Sequence, residues 1–122
     1  MNAQVIVHQL SEKYPGKKII INDESHPTQI TCEIEPTKDH PEYSIAIVVI
    51  DTVPKHYHAK STELYEILQG EVDVTVDDTK IHLYPEEKLT IHAGSSHSVI
   101  GNAAWIKISS FPGWTIEDHI EV

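Results

Sequence analysis

Three histidines and one glutamate have types and spacings that could hold a divalent metal ion. His56 and His58 are two residues apart, and residues two apart on a β-strand point to the same face. Glu63 follows this pair, and His97 lies 34 residues beyond Glu63. Three imidazoles and a carboxylate suit iron, manganese, nickel, copper or zinc. The pattern predicts one transition-metal site with coordination positions left open for substrate or water.

The runs that must carry these ligands are short, rich in valine, isoleucine and threonine, and separated by turn residues. Residues 71–76 alternate strictly, and 77–79 are expected to form a hairpin turn. Residues 43–51 are nearly continuously apolar, which is typical of a strand covered on both faces. No long segment has helical periodicity, and breaks are expected at 51–54 and 101–102. We therefore expect an all-β sandwich or barrel with strands at 17–22, 29–35, 43–51, 64–69, 71–76, 80–84, 88–92, 96–100 and 104–110.

Two sequence motifs resemble those of the cupin superfamily. The run His56-x-His58-x4-Glu63-x6-Gly70 matches the first cupin motif, and residues 85–102, around His97, resemble the second. The chain looks most similar to small single-domain cupins described as mannose-6-phosphate isomerase-like. This resemblance covers roughly residues 33–112. It implies one cupin domain over 1–122, folded as a double-stranded β-helix (a jelly-roll barrel of the RmlC-like type). The resemblance also implies that the metal lies near one mouth of the barrel and that the protein is a homodimer, as cupins usually are.

The chain departs from the cupin motifs at three positions near the predicted site. Ile50 stands where the first motif usually has glycine. Glu86 stands where the second motif has a turn glycine, which implies a different turn type or some strain. His92 replaces a proline, and it is either a proton donor near the mouth or a solvent-facing turn residue.

Glu63, His92 and Tyr65 are the candidates for a catalytic role. Tyr65 shares strand parity with Glu63, so it either lines the cavity or simply fills the barrel interior. Cys32 alternates with isoleucines and is expected to be a buried packing residue without a base to activate it. Four further histidines are expected at the surface: His8, His26, His40 and His119. The tail at 111–122 is expected to cover a barrel edge or to serve in a dimer.

Composition excludes some classes of partner. The formal net charge is −10, and all 9 basic residues are lysines, against 19 acidic residues. This balance argues against binding to nucleic acid or an anionic membrane. The sequence has no apolar run of membrane-spanning length and no signal-peptide pattern, and a single cysteine cannot form an internal disulfide. These features together favour a cytoplasmic protein.

Three functions fit the predicted site. The first is a metal-dependent enzyme acting on a small polar substrate, such as a sugar isomerase, in which the metal polarises a carbonyl and proton transfer follows. The second is an iron- or copper-dependent dioxygenase. The third is a non-catalytic module that binds a metal or a small ligand. An aromatic or enol substrate would need an apolar pocket, so the character of the cavity discriminates between the two enzymes.

Overall fold

The computed structural model describes residues 1–122, and most of the chain is β-strand. Nine strands form one antiparallel sheet, which confirms the β-rich prediction. A helix near the N-terminus and a 3-10 helix near the C-terminus accompany the sheet. The elements are α1 Ala3–Lys13, β1 Lys18–Ile21, β2 Gln29–Glu35, β3 Ser44–Tyr57, β4 Thr62–Gln69, β5 Val72–Val76, β6 Thr79–Leu83, β7 Lys88–Ile91, β8 His97–Phe111, the 3-10 helix Ile116–Asp118 and β9 Ile120–Glu121.

Strand β8 is the centre of the sheet, because it pairs with β3, β4 and β5. Its first residue, His97, pairs with His56 of β3, whereas Ser110 near its end pairs with Glu63 of β4. A straight strand would hold His97 and Ser110 on the order of 40 Å apart. Glu63 nevertheless lies 3.1 Å from His97. The sheet therefore curls strongly, as a barrel requires. The specific double-stranded β-helix topology stays a prediction.

The breaks expected at 51–54 and 101–102 are wrong, because β3 and β8 each run through them. The β3–β8 register shifts between Ile50 and Thr52, which marks an irregular, bulged stretch. The N–H of Ala103, at φ 49°, donates a 2.7 Å hydrogen bond to Asp51. At Gly101 an added Cβ would lie 3.0 Å from the carbonyl oxygen of Ile50. Bulges let one long strand bend and pair with several neighbouring strands. Residues that are typical of turns therefore lie inside β3 and β8.

Two turns have the backbone conformations that their sequences indicate. Asp77 and Asp78 have φ values of 45° and 70° and join β5 to β6, which confirms the hairpin. Positive φ at both central residues matches the twist of a two-residue hairpin. Glu86 has a φ of 75°, in the region that favours glycine. This side chain therefore occupies the strained turn position at which cupin motifs usually place glycine.

Strand β3 separates two hydrophobic clusters, which explains its continuous apolar run. Val48 and Ile50 face the interior of the curled sheet, whereas Ile47 and Val49 face α1. Alternate residues of a strand point to opposite faces, so a strand covered on both sides must be apolar throughout. Cys32 is fully buried in the cluster under α1, as predicted, and burial raises the pKa of its thiol.

Helix α1 was not predicted from the sequence. The Asn2 side chain caps the helix by accepting a 3.3 Å hydrogen bond from the N–H of Val5. Ile6 and Leu10, one turn apart, are buried against the outer face of the sheet. The run Val-Ile-Val at 5–7 hides this periodicity, because β-branched residues favour strands. No helix in the structure has the length and apolar character to cross a lipid bilayer.

We expect Leu10→Ala to lower the free energy of unfolding by about 2–5 kcal/mol, because it opens a cavity beneath α1. Leu10 is completely buried, whereas His8 on the same helix is exposed. Urea denaturation of the two variants Leu10→Ala and His8→Ala provides the comparison. An equal and small effect of both substitutions would contradict the packing of α1 on the sheet.

Candidate metal centre

The structure brings the four predicted ligands together at one end of the sheet. His56 lies near the end of β3, and His58 immediately follows that strand. Glu63 is the second residue of β4, and His97 is the first residue of β8. The four ligand atoms lie within 4.8 Å of one another, and all four residues are buried. This cluster could hold a metal ion.

Backbone carbonyls fix the orientation of all three imidazole rings. Each Nδ1–H donates to a carbonyl oxygen: His56 to Pro54 at 2.9 Å, His58 to Asp118 at 3.0 Å and His97 to Ser95 at 3.1 Å. These hydrogen bonds select the tautomer in which Nε2 carries the free lone pair. Metal-binding histidines in proteins are held in the same way. Nε2 is therefore the ligand atom of each ring.

The carboxylate of Glu63 faces two of these nitrogens at close range. Its Oε1 lies 3.2 Å from Nε2 of His58 and 3.1 Å from Nε2 of His97. None of these three buried atoms has a hydrogen-bond partner. Lone pairs that face one another without a proton repel, and buried polar atoms without partners are destabilising. A cation at their centre would satisfy all three atoms, so the donor set fits a metal ion.

The pKa values of the cluster reflect the balance between burial and the charge of Glu63. Burial lowers the pKa of His56 to about 4, so this imidazole is neutral. Burial raises the pKa of Glu63, but the two neighbouring imidazoles outweigh it and lower the value to about 2. Burial also lowers the pKa of His58, but the carboxylate of Glu63 outweighs it and the net shift is upward. His58 is therefore the imidazole at which Glu63 favours a proton.

The loop between β7 and β8 holds two of the ligands from one side. The N–H of Gly94 donates a 2.7 Å hydrogen bond to the carbonyl of His58. Gly94 has a φ of 88°, a conformation that side chains disfavour. The neighbouring carbonyl of Ser95 accepts from the ring of His97. This loop thus sets both the backbone of one ligand and the ring orientation of another.

Asp118 holds the ligand loop from the other side, and its part was not predicted. Its carbonyl accepts from Nδ1 of His58, and its carboxylate accepts hydrogen bonds from three successive N–H groups, those of Ala59, Lys60 and Ser61. Burial raises the pKa of this carboxyl, but the three N–H groups outweigh it and the net shift is downward. Asp118 is thus an ionised anchor for the segment between His58 and Glu63.

Two histidines expected at the surface are instead partly buried, so that prediction was wrong for them. His40 binds Glu35 and the carbonyl of Tyr43. His119 stacks on His56, with ring centroids 4.1 Å apart and planes 10° apart. The tail brings it there because β9 pairs with the end of β3. The tail therefore covers a strand edge, one of its two expected roles.

The remaining catalytic candidates occupy different environments. Tyr65 is 2 % exposed, and its ring lies edge-on to His97 with centroids 6.2 Å apart. Burial and then the charge of Glu63 raise the pKa of its hydroxyl well above the usual value. His92 is exposed in the turn after β7 and forms no side-chain hydrogen bond with the ligands. Of the two, Tyr65 is the residue that the structure places beside the cluster.

Solved structures share this fold, although no protein-family model matches the chain and no curated protein matches it in sequence. A Streptomyces PAC13 variant with uridine superposes with a TM-score of 0.76 at 10% identity, covering 89% of this chain and 87% of that one. A predicted oxalate decarboxylase from Thermotoga maritima gives 0.66 at 18% identity, covering 79% and 91%. Fe(II) HppE gives 0.68 at 13% identity, covering 79% and 56%.

These similarities concern architecture. Pac13 is described as a nucleoside dehydratase with a β-barrel, so proteins of this fold include enzymes. At such low identity the comparison carries no residue roles or substrates to this chain. The chain therefore has the cupin fold, as its motifs indicate, and the mannose-6-phosphate isomerase-like subtype stays a prediction.

We expect Asp118→Asn to weaken metal binding by about 10- to 100-fold, the usual range for groups that hold metal ligands in place. The substitution removes the charge that organises the N–H groups beside His58. Competition with a coloured chelator measures the affinity for Co(II), and Glu117→Gln is the matched control because Glu117 is exposed. Equal affinities for the two variants would contradict the anchoring role of Asp118.

We also expect metal binding to release a proton from His58. Its pKa is raised from 6.5, so the proton is present below the raised value and lost above it. Because the metal competes with this proton for Nε2, affinity should increase as pH rises through this range. Calorimetric titration with Zn(II) in two buffers of different ionisation enthalpy counts the protons. Proton uptake, or an affinity independent of pH, would contradict the assignment.

Proposed function

We propose that this protein is a metal-dependent enzyme acting on a small, oxygen-rich substrate. The observation that carries the proposal is the buried ligand set of three Nε2 atoms, oriented by carbonyls, around the carboxylate of Glu63. Purely structural metal sites more often use closed sets of four ligands rich in cysteine. Four ligands of the kind present here leave coordination positions open on a six-coordinate ion.

The residues of the chain have distinct parts in this proposal. His56, His58, Glu63 and His97 would hold the ion, which supplies Lewis-acid polarisation of a substrate oxygen when bound. Tyr65 keeps its proton because burial and Glu63 raise its pKa. Its hydroxyl is therefore a hydrogen-bond donor for a substrate oxygen near His97. His92 has no part in the proposal, because its side chain faces solvent.

Isomerisation of a free sugar is the reaction we propose first. Two adjacent oxygens of a sugar would be held at an ion bound by the four ligands, with the ionised carboxylate of Glu63 as the candidate base that would take the proton from one carbon and return it to the next. The chain has no arginine, so a phosphorylated sugar would lack the usual guanidinium grip. The ribose-containing ligand uridine in the PAC13 structure is consistent with a polar ligand in a barrel of this fold.

A dioxygenase is the second candidate, and the apolar surroundings of the cluster favour it. Ile91 pairs with Glu63, Val99 follows His97 on the same face, and Ile67 follows Tyr65 in the same way. These three side chains belong to the interior hydrophobic cluster. An apolar floor suits an aromatic or enol substrate that chelates the ion beside oxygen. The Fe(II) form of HppE shows that iron is used within this fold.

We expect protein purified without added metal to carry about one transition-metal ion per chain, and His58→Ala and His97→Ala to lose it. His8→Ala is the control, because its exposed imidazole lies on α1, away from the sheet end. Elemental analysis by mass spectrometry measures the metal content. Equal loading of all four proteins would contradict the site itself.

Two assays then distinguish the reactions. Aldoses and ketoses incubated in D2O should gain deuterium at the carbon that exchanges its proton, as detected by NMR. Oxygen uptake with a panel of enols and catechols, without exchange in sugars, would contradict the isomerase and favour the dioxygenase. Bound metal with neither activity would contradict both enzymes and favour the non-catalytic binding module.

A further inference from the structure

Four buried side-chain atoms in the structure have no hydrogen-bond partner. Three are atoms of the metal cluster, Nε2 of His58, Oε1 of Glu63 and Nε2 of His97, and the fourth is Nδ1 of His119. A buried polar nitrogen without a partner is destabilising, so natural proteins rarely retain one without a use. Its occurrence beside the metal ligands suggests that its partner arrives together with whatever the centre binds.

The ring of His119 is held firmly beside the cluster. It stacks on His56 with centroids 4.1 Å apart, meets His58 edge-on at 5.4 Å and lies 6.0 Å from the ring of Trp114. The backbone is fixed on both sides of His119. Asp118 binds the ligand loop, and Ile120 pairs with β3. Such a constrained imidazole is preorganised to bind a ligand.

His119 is not one of the four residues whose ligand atoms form the compact cluster. Its ring nevertheless stacks on the ligand His56, so its buried Nδ1 lies beside the cluster and has a free hydrogen-bonding position. We propose that Nδ1–H of His119 donates a hydrogen bond to a non-protein ligand bound at an open coordination position of the ion, an inference that rests on the proposed metal centre. Suitable ligands are small anions or oxygen-bearing chelators with a lone pair left after coordination. His119 is thus a specificity residue of the site, supplied by the tail.

Azide is a simple probe for this hydrogen bond, because it coordinates metal ions and retains lone pairs. Co(II) is first titrated into each protein, and azide is then titrated while the visible absorption of Co(II) is followed. The informative variants are His119→Phe, which keeps an aromatic ring for stacking on His56, and His119→Asn, whose side-chain NH2 group can donate in place of Nδ1–H. His8→Phe, on the exposed face of α1, is the control.

We expect all variants to bind Co(II) with affinities within about threefold of wild type, because His119 is not a ligand. Azide affinity should fall about tenfold in His119→Phe, the factor that corresponds to one hydrogen bond, and recover in His119→Asn. Comparable thermal unfolding of the variants confirms that the tail remains folded. The two steps separate the two proposals, because Co(II) binding tests the centre and azide binding tests His119.

Three results would overturn the inference. Unchanged azide affinity in His119→Phe would show that Nδ1 does not contact the ligand. Equal losses of azide affinity in the Phe and Asn variants would show that a donor at this position does not restore azide binding, which contradicts the hydrogen bond. A hundredfold loss of Co(II) affinity in His119→Phe would make His119 part of the metal ligation itself. Wild-type protein that takes up no Co(II) would instead refute the metal centre on which the inference rests.

Discussion

The carboxylate of Glu63 is a negative charge in the interior, and it must be balanced where it lies. The residue is 4 % exposed, and no lysine pairs with it. Burial of an unpaired charge costs several kcal/mol. The groups close enough to compensate are the imidazoles, of which His58 has its pKa raised by Glu63, or a cation that all of them share. This requirement explains why the ends of three strands converge on one carboxylate.

The rest of the structure holds those strand ends in place. The curl of the sheet around β8 brings β4 back to the beginning of β8, and irregularities in the β3–β8 ladder allow the curl. The loop at Gly94 and the tail at Asp118 then grip the ligand segment from two sides. A rigid support of this kind keeps metal ligands in position without the ion, and it limits the cost of binding.

The fold alone says little about the reaction. Structures with the same architecture include a nucleoside dehydratase and an Fe(II) protein at 10% and 13% identity to this chain. Function in such superfamilies resides in the side chains grafted on the barrel. At this end of the sheet the side chains are three carbonyl-oriented histidines, a glutamate, a tyrosine beside an apolar floor, and a histidine from the tail.

The sequence by itself determined the features that depend on local periodicity. Alternation within residues 29–35 and 71–76, the Asp77-Asp78 hairpin and the parity of His56 and His58 all follow from the two-residue repeat of a strand. Only the tertiary structure decided the features set by distant contacts. Helix α1 is stabilised because its Ile6 and Leu10 pack against the sheet, and the tail reaches the site across sixty residues of sequence to bind His58. No local pattern encodes such contacts, because they form only when the curled sheet brings remote segments together.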